Sequence, residues 1–107
     1  MVKVDWSDEA KFEFRTYVKN ARLEFGVSTC RRWLKERKDV EWRLKRYPTS
    51  YPPEPLLQGR DILYRCGHLM NRRFKIIYYY DEAEDIARIV DIWDTKMNPK
   101  ALIWRIK

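Results

Sequence analysis

The sequence lacks any apolar run approaching the length needed to cross a bilayer. Its opening residues, Met1-Val2-Lys3-Val4-Asp5-Trp6, lack the charged-then-apolar layout of a secretory signal. The expectation is a soluble, cytoplasmic protein with no membrane partner. Cysteine is scarce, with Cys30 and Cys66 alone. Two isolated thiols make no disulfide framework and are more often reduced, buried small residues. Histidine is scarcer still: Cys66-Gly67-His68 offers two ligands, and no second pair follows to complete a tetrahedral site. No metal and no cofactor are therefore expected. Long polar tracts, internal repeats and low-complexity segments are also missing, which argues against disorder and against a repeat array.

What is present in excess is positive charge. Twenty-three Lys and Arg against sixteen Asp and Glu leave a net charge of +7 and a pI near 9.5. Such a balance favours an anionic partner, whether nucleic acid, a membrane surface or an acidic protein, and charge alone does not choose among them. A chain of 107 residues has the size of one domain, residues 1–107, with one modest core.

Val2 to Trp6 alternates apolar and polar residues and predicts a short strand. Ser7 stands where a helix N-cap belongs, Asp8 and Glu9 put negative charge in the first turn, and Gly26 supplies a stop. Between them Ala10, Phe14, Tyr17, Val18, Ala21 and Phe25 form a helical stripe. A second helix is predicted from about Ser28 to Arg46. Its apolar stripe is thin (Cys30, Trp33, Leu34, Val40, Leu44), and its broad basic face reads equally well as a solvated surface or a binding surface. Pro48, Pro52, Pro53 and Pro55 then require an extended loop from Tyr47 to Leu56.

Three strand-like runs follow: Ile62 to Leu69, Phe74 to Tyr80 and Ile86 to Trp93. Their short connections, Met70-Asn71-Arg72 and Asp81 to Asp85, predict an antiparallel meander. One face of the second run (Phe74, Ile76, Tyr78, Tyr80) should bury against the helices. The other (Lys75, Ile77, Tyr79) should form an open aromatic and basic surface. Asn98-Pro99 reads as an N-cap and first helical position, predicting a short helix over Lys100 to Lys107. The fold class is therefore α+β, an N-terminal strand and two-helix hairpin packed on a small antiparallel sheet, with a short C-terminal helix.

Three motifs in this order resemble the RelE/ParE superfamily of toxins from type II toxin–antitoxin modules. They are Ser7-Asp8-Glu9-Ala10 after the opening strand, Phe74-Lys75-Ile76-Ile77-Tyr78 in the central strand, and Asp94-Thr95-Lys96-Met97-Asn98-Pro99 near the end. The resemblance covers nearly the whole chain. It implies a growth-arresting toxin neutralised by an acidic antitoxin. It implies one of two targets: messenger RNA cut on the ribosome in RelE-like members, or DNA gyrase inhibited without hydrolysis in ParE-like members.

RNA cleavage through the ribose 2′-hydroxyl needs a base, an acid and positive charge around the phosphate. Carried onto this chain, the family positions for that chemistry fall at Arg65, Lys75 and Lys96. Contacts to nucleic acid or antitoxin are expected at Arg72, Arg73, Tyr79, Lys100 and Trp104. Lys75 and Lys96 stand where the family usually has arginine, and lysine offers a point charge in place of a planar fork. The tyrosine many ribosome-dependent members carry near the C-terminus is replaced at about Leu102, and Trp104 cannot exchange a proton. Plainer readings sit beside these. Lys75 reads as well as a solvated strand charge, Tyr78-Tyr79-Tyr80 as sheet filling, His68 as a structural histidine, and Asp94 and Asn98 as turn and cap residues. A non-toxin basic RNA-binding module and a degenerate toxin are the competing functions.

Overall fold

The alternation in the opening residues does form a strand, β1 (Lys3–Trp6), in the computed structural model, which describes residues 1–106. Ser7 turns the chain into α1 (Asp8–Phe25), its side-chain oxygen accepting from the Ala10 amide at 3.0 Å. That cap and the early acids satisfy amides and match the dipole at a helix start. Gly26 ends α1 at φ 93°, a backbone that favours glycine, while its amide donates to the Arg22 carbonyl. α2 (Val27–Arg46) follows at once.

The strands are β2 (Arg65–Leu69), β3 (Phe74–Asp81) and β4 (Ile86–Asp94), and α3 (Pro99–Arg105) closes the chain with Asn98 as its N-cap. β2 starts three residues later than predicted because the residues before it are engaged with the proline loop. Glu54 N donates to the Tyr64 carbonyl and Cys66 N to that of Pro52, leaving Ile62 and Leu63 exposed. The loop itself is not wholly extended: it tightens into a 3₁₀ turn at Pro55–Leu57. The predicted C-terminal helix ends at Arg105, and its last predicted residue, Lys107, lies outside the described residues.

The sheet order is β1-β4-β3-β2. β2, β3 and β4 form the expected antiparallel meander, but β1 runs parallel to β4, so the sheet is mixed. A parallel neighbour needs a long crossover, and the whole helical hairpin and proline loop lie between β1 and the meander. On one side of the sheet α1 and α2 bury Phe14, Trp33, Val40 and Leu44 against Trp6, Leu69, Ile76, Tyr78, Ile89 and Ile92. Trp33 meets Phe14, Tyr17 and Phe74 with ring centroids 4.7 to 6.0 Å apart.

The other face corrects an expectation. It is not an open aromatic and basic surface but a second core, in which Leu57, Tyr64, Cys66, Ile77, Trp93, Leu102 and Ile106 pack together. Ile77 and Trp93 carry too much apolar area to leave in water, and α3 and the 3₁₀ turn cover them. Asp91 pairs with Ile77, and a bulge just beyond shifts the register so that Tyr78 pairs with Ile89 and Val90 is the extra residue on β4.

Gly67 marks where the proline loop closes on β2. A Cβ there would lie 2.9 Å from Tyr51 Cε1 and 3.2 Å from Ile76 Cγ2. We expect Gly67→Ala to cost about 1–3 kcal/mol, the usual range for overpacking. Urea melts should show the loss shrinking in a Tyr51→Ala background, and an equal loss in both backgrounds would put the strain elsewhere.

Candidate functional site

Arg65, Lys75 and Lys96 do not come together. Arg65 pairs with Tyr78 and Lys75 with His68, three ladder steps apart. That is roughly 10 Å along the strand, and an odd separation puts them on opposite faces. Arg65 Nη1 donates to the Tyr51 carbonyl at 2.7 Å, tying the proline loop down. Lys96 lies past the end of β4, exposed, with its amide donating to Asp94 Oδ1 at 2.9 Å.

Lys75 is not a solvated charge. Its Nζ lies 2.8 and 3.0 Å from the two carboxylate oxygens of Glu54, a residue only 1% exposed. Glu54 also accepts from the Leu56 amide at 3.3 Å, so one carboxylate caps the 3₁₀ turn and neutralises the strand lysine. Cys66 is beside it: burial, then a hydrogen bond to Glu54, push the thiol up to about 12, which leaves it protonated and inert. Burial holds the His68 imidazole below its ordinary range, and the Arg72 and Lys75 charges lower it further.

The contact candidates divide. Arg73 grips Asp94 through Nε at 3.0 Å and Nη2 at 3.2 Å, and that pairing holds the Asp94 carboxyl below the usual carboxylate range. Tyr79 packs edge-on against Tyr64 with centroids 5.7 Å apart. Arg72 sits in a turn whose residues Met70, Asn71 and Arg72 all have positive φ, and it remains exposed. Lys100 is exposed, and so is Trp104, at 73%. Leu102, at the position where the resemblance leads one to look for tyrosine, is fully buried. Lys96 does meet other cations: with Arg32 and Arg73 it lines a groove of about 780 Å³ floored by Tyr17, Trp33 and Phe74.

The sequence pattern did not single out Glu54 or Asp91, and it showed Arg32 only as part of the basic face of α2. A lone acid in the apolar run Ile89-Val90-Asp91-Ile92-Trp93 was a legible signal for Asp91. Asp91 is 2% exposed, and burial pushes its carboxyl up to about 6 although Arg105 Nη2 donates to Oδ1 at 2.6 Å. Among the described residues no cluster of three or more His, Cys, Asp or Glu is arranged to hold a metal ion. Nor is any helix there long and apolar enough to cross a membrane.

No protein-family model and no curated protein matches the sequence. Among solved structures the chain is similar to one from the chromosomal ParDE toxin–antitoxin system of P. aeruginosa, with a TM-score of 0.67 at 12% identity over 88% of this chain and 96% of that one. It is similar to a metal-bound toxin from Helicobacter pylori (TM-score 0.62, 21% identity, 90% and 97% covered). It is also similar to a chain of the intact E. coli RelBE toxin–antitoxin complex (TM-score 0.62, 11% identity, 91% and 100% covered). The chain therefore has the fold of the RelE/ParE toxin superfamily.

Two outcomes are expected of the buried acids. Lys75→Ala leaves Glu54 buried without its cation and should cost about 3–5 kcal/mol, whereas Lys75→Met with Glu54→Gln should cost much less. Denaturant melts compare them, and equal losses would show that the pair contributes through packing alone. For Asp91 the folded pKa lies above the unfolded one, so between about pH 4 and 6 the native state holds a proton the unfolded chain has released. Stability drawn from that proton is lost as pH rises through the window. Asp91→Asn should match the wild type near pH 4 and exceed it by roughly 2–3 kcal/mol above pH 6. A pH-independent difference would show that Asp91 titrates normally.

Proposed function

We propose that the chain is the toxin of a type II toxin–antitoxin module and that it acts as ParE-like toxins do, by binding and inhibiting DNA gyrase. The fold supports the toxin assignment, the fact that structural neighbours come from ParDE and RelBE systems supports an antitoxin as its partner, and the net charge of +7 favours an acidic one. One observation carries the choice of mechanism: Lys75 is held by the buried carboxylate of Glu54. Cleavage of RNA by this family's route asks for cations gathered around one phosphate. Here one is neutralised, a second is turned to the opposite face, and the third lies past the end of the strand. The buried leucine at position 102 offers no proton at the leaving oxygen either. Inhibition by protein–protein contact needs none of these groups to converge.

The test is a supercoiling assay with purified gyrase and relaxed plasmid, in which added chain should suppress supercoiling and co-purified antitoxin should restore it. Induced expression should arrest growth with messages intact and DNA-damage signalling raised. Cuts at in-frame codons of translated messages, with gyrase unaffected at large excess of the chain, would replace this reading with the RelE-like one. Growth unaffected by expression would leave the basic RNA-binding module or the degenerate toxin.

A further inference from the structure

The cations of this chain fall into two groups. Those near the sheet are held: Arg37 by Glu41 and the Trp6 ring, Arg43 by Ser50 and the Tyr51 ring, Lys75 by Glu54. Those on the outer side of the helical hairpin are not. Along α1, Lys11, Arg15, Lys19 and Arg22 recur at spacings of four, four and three, all exposed. At 3.6 residues per turn they fall within an arc of roughly 80° and make one row roughly 17 Å long. On α2, Arg31, Lys38 and Lys45 stand seven residues apart, also exposed, and drift by only about 20° from each to the next. α1 turns Ala10, Phe14 and Ala21 to the core and α2 turns Trp33, Val40 and Leu44, so both rows face away from the sheet. The helices pack through Phe14 and Trp33, with axes about 8–10 Å apart as packed helices have, and the rows run side by side.

None of these cations makes an ion pair or a side-chain hydrogen bond among the described residues. Like charges at i,i+4 repel, so the α1 row adds nothing to the fold by itself. The acids nearest the rows are Asp8 at the head of α1, and Asp39 and Glu41 on α2, which Lys35 and Arg37 already hold. Cations repeated at helical pitch suit a regular polyanion. Duplex DNA carries about one negative charge per 1.7 Å of its axis, so the α1 row faces about ten phosphates of the two strands. Its grooves are about 6 and 12 Å wide, and long basic side chains on two adjacent rows reach the backbones on both sides of one groove. A single strand would ask for rings on which bases stack. Arg46 covers Trp42 at 4.3 Å and Tyr47 packs edge-on against it, while Phe12 lines the cavity that Glu9 and Glu13 share. A membrane surface would ask for an apolar face to insert, and the apolar stripes of both helices are turned to the sheet.

We propose that the outer face of the α1–α2 hairpin binds the phosphate backbone of duplex DNA without regard to sequence. Lys11, Arg15, Lys19 and Arg22 track one strand, and Arg31, Lys38 and Lys45 the other. The assignment does not rest on the gyrase reading. It is measured with DNA alone, and its failure leaves that reading untouched.

The test titrates the whole chain into a labelled duplex of about 20 base pairs and follows anisotropy from about 50 to 200 mM salt. Arg15→Gln with Lys19→Gln should lower affinity at least tenfold and reduce the slope of log affinity against log salt by about 2. Arg31→Gln with Lys38→Gln should do the same. Lys3→Gln with Lys100→Gln removes equal charge from exposed positions off this face, and should change affinity less than about twofold. Glutamine is a good helix former, so the hairpin variants keep the fold, which circular dichroism checks. Absence of binding at low salt would overturn the proposal. An equal loss in the control pair would show attraction by net charge alone and overturn it too. Tighter binding to a single strand of the same length, to a glutamate-rich peptide, or to phosphatidylserine vesicles would replace duplex DNA with that partner.

Discussion

Lys75 stands on a strand whose same-face neighbours Ile77 and Trp93 are withdrawn from water, so its charge can be kept there only if an anion is brought to it. Glu54 is that anion, and bringing it requires the proline loop to cross the edge of β2. The loop is held there by main-chain bonds to Tyr64 and Cys66 and by the bond from Arg65 to Tyr51. Much of the second core depends on this arrangement. The 3₁₀ turn that Glu54 caps delivers Leu57, and the loop's closure over Gly67 seats Tyr51 on the opposite side against Tyr78. A cation that the sequence offers as chemistry is thereby a structural element. It also makes Lys75→Ala a poor probe of catalysis, since the variant exposes the fold to an unpaired buried carboxylate before it says anything about a substrate.

Net charge gives an inflated picture of the surface. On α2 the pairs Arg32–Glu36, Lys35–Asp39 and Arg37–Glu41 recur at i,i+4 spacing, with N–O distances of 2.7 to 3.1 Å. Each is worth only a few tenths of a kcal/mol to stability, about 0.3–0.5 for a pair of this kind. Their larger effect is to reduce the basic face that the helix presents. Arg37 is further spent on the Trp6 ring, 4.5 Å from its centroid, and Arg43 on Tyr51 at 3.7 Å. Arg88 is divided between Asp5 and Asp81. Of the residues expected to meet a partner, Arg72, Arg73, Lys100 and Trp104 are exposed, as is the catalytic candidate Lys96, all in the turns and short helix at the chain's C-terminal half.

Local rules carried most of the fold. Ser7, Gly26 and Asn98 act at the helix ends where their chemistry places them, and period-two alternation divides β3 between its two faces. What alternation does not encode is what covers each face. The parallel docking of β1 on β4 joins segments more than eighty residues apart, and the 3₁₀ turn that buries the far face comes from a loop whose prolines signal only extension. The surroundings of the candidate cations were illegible for the same reason. Lys75 and Glu54 are separated by 21 residues, and no periodic pattern links a strand to a loop. The RelE/ParE resemblance, carried by short motifs, anticipated the fold because Ser7, the β3 run and Asp94 to Pro99 do architectural work.

α3 shows how far architecture reaches into residues that look functional. Seven residues are too few to hold a helix unaided, and its stability must come from packing and end contacts. Leu102 supplies the packing, buried completely in the second core. Arg60 donates to the carbonyls of Ile103 and Ile106 and so satisfies the C-terminal acceptors, while Arg105 reaches back to Asp91. Asp91 lies on the covered face because it stands two residues from Trp93 on β4 and opposite Ile77. An arginine at the end of a toxin-like fold, on a chain of high pI, invites reading as a phosphate ligand. Here the guanidinium of Arg105 is committed to a buried acid and the ring of Trp93, and its charge already falls short of what the surrounding carboxylates demand. Glu13 and Asp91 thereby spend that charge inside the fold, where it closes α3 onto α1 and β4 and is not offered to a phosphate.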